Sequence, residues 1–61
     1  MTEKSRASIL IVDDESHTRE LCNDILSEEG YHTSTAESAR EGLLALAQRT
    51  FQIVLSDIQM P

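Results

Sequence analysis

Three acidic side chains carry the chemistry that this sequence offers. Asp13 and Asp14 stand directly after the aliphatic block Ile9-Leu10-Ile11-Val12, and Asp57 follows the apolar run Phe51 to Leu55 with only Ser56 between. A carboxylate at the point where a strand leaves the core can be a turn residue, a metal ligand or a nucleophile. Alone, Asp13-Asp14 could do no more than end a strand and favour the next helix N-terminus through its dipole. If the two strand ends adjoin, however, three carboxylates meet within a few ångströms. Like charges in one cleft repel unless a cation neutralises them, and an all-oxygen donor set suits a hard ion such as Mg²⁺. Mg²⁺ beside a carboxylate nucleophile supplies the positioning and charge neutralisation that phosphoryl transfer needs. Asp57 could then attack phosphorus and form an aspartyl phosphate. Gln59, two residues on, could offer its backbone carbonyl to the same ion. Pro61 cannot donate to a ladder and biases Met60 towards an extended conformation.

The surrounding sequence has to bring those ends together. Residues 1–6 are polar and expected to be frayed. Ala7 to Val12 is aliphatic without alternation, as in a parallel strand covered on both faces. Ser16 is the expected N-cap of a first helix, whose stripe is Leu21, Cys22, Ile25 and Leu26, and Gly30 is its expected C′ residue. Tyr31 to Thr35, polar-leaning, reads as an edge strand. Ser38-Ala39-Arg40-Glu41 has the spacing of a capping box. Ala39, Gly42, Leu43, Leu46 and Ala47 then form one helical face, with small residues permitting close approach to a sheet. Gln48 to Thr50 makes a turn, and Phe51 to Ser56 is the third strand.

The order is β-α-β-α-β. Short, right-handed connections leave one economical arrangement, with the Ile9 strand central and all strands parallel. This is an α/β fold: half of a doubly wound sheet in the flavodoxin-like strand order 2-1-3, whose ligand site lies at the carboxyl ends of the first and third strands. With neighbouring strands about 4.8 Å apart, Asp13, Asp14 and Asp57 share that site.

Ile9-Leu10-Ile11-Val12-Asp13-Asp14-Glu15, taken with Ser56-Asp57-Ile58-Gln59-Met60-Pro61, resembles the receiver domain of two-component response regulators, a CheY-like fold. The resemblance runs from about Ser8 to Pro61, and the pairing of the two motifs is what makes it specific. It implies phosphorylation of Asp57 by a partner histidine kinase or phosphotransfer protein. It further implies Asp14 as a direct Mg²⁺ ligand, Asp13 acting through water, and the Gln59 carbonyl completing the protein ligands. The module so implied is a phosphoacceptor rather than a turnover enzyme. A whole receiver is about twice as long, within the usual domain range, so residues 1–61 are expected to be its N-terminal half. The later strands of a receiver carry a hydroxyl residue and a lysine at the phosphoryl group; Lys4, the only lysine, precedes the first strand and does not match that role.

Composition fits this reading. The chain has 61 residues, 39% hydrophobic and 26% charged, with a formal charge of -6. No basic patch exists to displace nucleic-acid counterions. Cys22 is alone, which excludes an internal disulfide and suits a reducing cytoplasm; its place between Leu21 and Ile25 marks it as a core thiol. No apolar run approaches a membrane span. His17 and His32 lack the spacing of a metal pair and read as solvated, Glu15 as a residue of the site's rim, and Met60 as packing. Two other readings compete. An aspartyl-phosphate hydrolase would want a second carboxylate where Gln59 stands. A self-associating half-domain would pair its exposed third-strand edge with a second copy.

Overall fold

The structure, a computed structural model, describes residues 7–57. The expected fraying of residues 1–6, and the expectations for Gln59, Met60 and Pro61, lie outside those residues. The elements run β1 (Ser8–Val12), α1 (Ser16–Glu28), β2 (His32–Ala36), α2 (Ala39–Gln48) and β3 (Ile53–Ser56). The strands form one parallel sheet in the order β2-β1-β3. Val12 is level with Ala36 on one side and with Ser56 on the other. This is the flavodoxin-like order that the connection lengths imply.

β1 forms the core. Ile9, Leu10, Ile11 and Val12 are all buried, and Leu10 is completely so. Successive side chains alternate between faces. Leu10 and Val12 pack with Ala36 on the side where Ala45 and Phe51 approach, while Ile11 borders a cleft shared with Thr18 and Cys22 of α1. A continuous aliphatic strand is stable here because a helix covers each face.

α1 ends as its glycine requires. Gly30 adopts φ 98°, its amide donates to the Ser27 carbonyl at 3.0 Å, and the Tyr31 amide donates to that of Leu26 at 3.2 Å. Those two bonds make a Schellman closure, and they use Tyr31, so β2 begins one residue later than its polarity pattern implies. At the other end, the N-cap is Glu15 rather than Ser16: its Oε1 accepts from the Thr18 amide at 2.9 Å and the Thr18 hydroxyl at 2.8 Å. The longer glutamate side chain spans the first turn from one position earlier, and Ser16 becomes the first helical residue.

The expected capping box of α2 forms by half. Ser38 Oγ accepts from the Glu41 amide at 3.1 Å, but Glu41 Oε1 reaches the Glu37 amide at 3.0 Å instead of that of Ser38. The buried line of α2 matches the expected stripe at Gly42 and departs from it elsewhere. Gly42 is buried and Ala45 packs on the core, whereas Leu43 is 68% exposed. In α1, Leu21 and Ile25 are exposed, and Cys22 is half-buried rather than a core thiol. The reason is geometric. Both helices pack on β1 and β2 and neither comes close to β3, so the halves of their stripes aimed beyond β1 stay largely exposed. β3 itself starts at Ile53, with Phe51 folded under the sheet and the Arg49 guanidinium 5.6 Å from its ring centroid. Ile53, Val54 and Leu55 are each more than two-fifths exposed, and the outer edge of β3 has no strand partner among the described residues.

Candidate functional site

Two backbone bonds carry the sheet past its last paired residues. The Asp13 amide donates to the Ala36 carbonyl at 3.1 Å, and the Asp57 amide donates to the Val12 carbonyl at 3.0 Å. Asp13 and Asp57 therefore leave the sheet at the same level, one step beyond the Val12–Ser56 pair. Both line one cleft of about 480 Å³ between α1 and β3, with Thr18 and Cys22 on its helical wall. This is the switch point of the fold, where the connection from β1 departs to one face of the sheet and that preceding β3 returns from the other.

The two carboxylates differ sharply in setting. Asp13 is only 5% exposed, the one buried charged residue among those described. Its Oδ1 accepts the Glu15 amide at 2.9 Å, an Asx turn that folds the chain back towards α1. Its Oδ2 has no hydrogen-bond partner among the described residues. A carboxylate oxygen taken out of water is costly unless something charged or polar faces it, so this oxygen fits a hydrated cation. Asp57 and Asp14 are exposed. Asp57 opens into the cleft, while Asp14 lies on the turn and does not line it. Among the described residues no three His, Cys, Asp or Glu side chains gather as a cation cage. The donors at hand are hard carboxylate oxygens, the type that Mg²⁺ takes together with water and phosphate oxygens.

Two residues hold this turn, and sequence reasoning passed over one of them, Arg19, and the capping role of the other, Glu15. Arg19, half-buried on α1, donates from Nη1 to the Asp13 carbonyl at 2.9 Å. Glu15, read from sequence as a rim residue, is the cap that starts the helix. The hydrogen bonds from the Thr18 amide, and then from its hydroxyl, lower its pKa from the ordinary 4.5. A basic residue six positions after Asp13, about one and a half helical turns on, is the only sequence signal for the Arg19 contact. His17 and His32 are exposed and do not line the cleft. No described helix is long and apolar enough to cross a membrane.

Comparison with known proteins agrees with this geometry. The family model for the response regulator receiver domain matches residues 9–61. An uncharacterized 14.6 kDa protein of Leptolyngbya boryana is 34% identical over all 61 residues, which cover 47% of that relative. The transcriptional regulatory protein GlrR of Escherichia coli is 41% identical over 54 residues, 88% of this chain and 12% of that protein. The sensor histidine kinase RcsC of Salmonella typhimurium is 42% identical over 53 residues, 87% of this chain and 6% of the kinase. The chain thus spans less than half the length of each of these relatives. No solved structure gives a significant match. The strand order, the paired acidic strand ends and the family match over 9–61 agree, and the chain belongs to the response regulator receiver domain family.

Proposed function

We propose that the chain is the phosphoacceptor part of a receiver module and that Asp57 takes the phosphoryl group. The observation that carries this reading is the backbone bond from the Asp57 amide to Val12, which sets an exposed carboxylate level with the buried Asp13 in one cleft. A carboxylate oxygen of Asp57 attacks phosphorus of a phosphohistidine on the partner kinase or phosphotransfer protein. The P–N bond breaks, its electron pair stays on the imidazole nitrogen, and solvent returns the proton there. Exposure of Asp57 leaves room for so large a donor.

Asp14, Asp57 and the Gln59 carbonyl would hold Mg²⁺ directly, with Asp13 contributing through water. When bound, the ion neutralises charge on the phosphoryl oxygens and on the carboxylates. The occupied Oδ1 and unpartnered Oδ2 of Asp13 favour its outer role, since one oxygen already serves the turn. The module relays a signal and does not turn over a substrate. It works in the cytoplasm, and its relatives include both a transcriptional regulatory protein and a sensor histidine kinase. We take the chain as the N-terminal half of the domain, because the bare edge of β3 and the uncovered leucines of both helices are surfaces that a longer sheet would bury.

The test is incubation of the full chain with acetyl phosphate and Mg²⁺, read by intact mass. The expected result is one added phosphoryl group, absent with a chelator and absent in Asp57→Asn. Undiminished labelling of Asp57→Asn would overturn the assignment.

A further inference from the structure

Asp13 is held through all three of its polar groups. Its amide donates to Ala36 and its carboxylate accepts from Glu15. Its carbonyl accepts from Arg19 at 2.9 Å. Arg19 is the only one of the three anchors that is a side chain, and the only one that is charged. A charged donor makes a bond roughly twice as strong as a neutral one, and a half-buried guanidinium is not simply a solvated surface cation. The carbonyl it holds belongs to the planar peptide unit that joins Asp13 to Asp14. With that plane held, only the two flanking torsions are left to set the direction in which each acidic side chain leaves the chain.

We propose that Arg19 is a positioning residue of the acidic site, orienting the Asp13–Asp14 peptide so that its carboxylates face a bound cation. This rests on the reading of Asp13, Asp14 and Asp57 as a Mg²⁺ site. Two effects of the guanidinium oppose each other. As a peptide anchor it strengthens cation binding; as a positive charge nearby it weakens it. The bond geometry favours the first, because the hydrogen bond to the Asp13 carbonyl acts at contact distance, while Arg19 does not line the cleft where the cation would sit. Removing an outer partner of a metal ligand typically costs 10–100-fold in affinity. A backbone-carbonyl anchor, several bonds away from the ligand oxygens, belongs at the lower end, about tenfold.

The test uses Mg²⁺ alone, titrated into the full chain and followed by NMR, with Arg19→Met and Arg19→Lys beside the wild type. Arg19→Met is expected to bind Mg²⁺ about tenfold more weakly, and Arg19→Lys, which keeps the charge and a donor, to recover part of the loss. In the absence of metal, the Glu15 amide should exchange faster in Arg19→Met while the later amides of α1 stay as in wild type. Equal or tighter Mg²⁺ binding by Arg19→Met would overturn the proposal and leave only a charge effect. Should the wild type bind no Mg²⁺, the metal-site reading fails, and the exchange measurement still decides: an unchanged Glu15 rate overturns the anchoring role. Where Arg19→Met does not fold, Arg19→Gln takes its place in both measurements.

Discussion

Adding one methyl group at Gly42 tests how tightly the second helix is seated on the central strand. A Cβ built there lies 3.0 Å from Cγ2 of Val12 and 3.5 Å from its Cγ1. Carbon atoms prefer about 3.5–4.0 Å, so roughly half an ångström must be found. Val12 has little to give. It is buried, β-branched with few accessible rotamers, and its backbone is paired to Ala36 on one side and Ser56 on the other. Either α2 lifts or Val12 leaves its rotamer, and overpacking of this kind costs about 1–3 kcal/mol. Against that stands the helix preference for alanine over glycine, about 1 kcal/mol. The balance for Gly42→Ala is a net loss of about 1 kcal/mol, which in so small a domain lowers Tm by about 4–8 °C.

Thermal unfolding followed by far-UV circular dichroism measures this directly. The control is a double-mutant cycle with Val12→Ala, which removes the offending methyls. If crowding is the cause, Gly42→Ala costs less, or even stabilises, in the Val12→Ala background. A Tm raised by Gly42→Ala in the wild-type background would refute the reasoning, because helix propensity would then have outweighed the contact.

Other outcomes follow from the same structure. Leu10→Ala removes a fully buried side chain from the central strand; at about 2–5 kcal/mol it should remove most native circular dichroism at room temperature, and a Tm close to wild type would show that β1 is not the core. Glu15 has a pKa lowered in the folded state by its bonds from Thr18, so it adds stability above its unfolded value of about 4.5 that is lost as pH falls through the lower folded value. Stability of Glu15→Gln should therefore change less than that of wild type over that acid range, and identical slopes would remove the cap from the account. The open edge of β3 should pair with a second copy, so sedimentation at micromolar concentration should detect dimer that Val54→Lys abolishes. A wild type that stays monomeric would count against edge pairing.

The parts of this fold that could be read from sequence are those fixed by local rules. Ile9 to Val12 had to be a doubly covered strand, Gly30 had to close a helix, and the acids after each apolar run marked the strand ends. The stripes of α1 and α2 were legible as stripes but not as buried surface. Periodicity says which face of a helix is apolar; it does not say how wide the sheet beneath is, and here β3 receives neither helix, leaving Leu43 and Leu21 bare. The seat of α2 was legible in part. Gly42 stood in the expected face as a small residue permitting close approach and is buried, whereas Ala45, which carries little hydrophobic signal, packs on the core from outside that face. The expected N-cap moved by one because serine preference is a statistical rule, and a glutamate can meet the same amide from one residue earlier. Arg19 left no periodic trace at all, since a side chain reaching a distant carbonyl depends on the finished turn.

The difference between the two strands that carry the acids bears on how the site works. Asp13 follows the central strand, tied on both sides and buried, and can serve as a fixed reference for charge. Asp57 follows a strand that, among the described residues, is paired on one side only, so its place depends on the ladder to β1 and the bond to Val12. Whatever covers the free edge of β3 and binds only the folded sheet stabilises that ladder by mass action. By the same linkage, any change at Asp57 that shifts β3 alters the affinity of the covering partner. The carboxylate proposed as the acceptor, on the least supported strand, is thus placed where a modification of its charge is felt most readily by a neighbour. Placed after β1, the same carboxylate would be held through both ladders, and its modification would have little structure left to move.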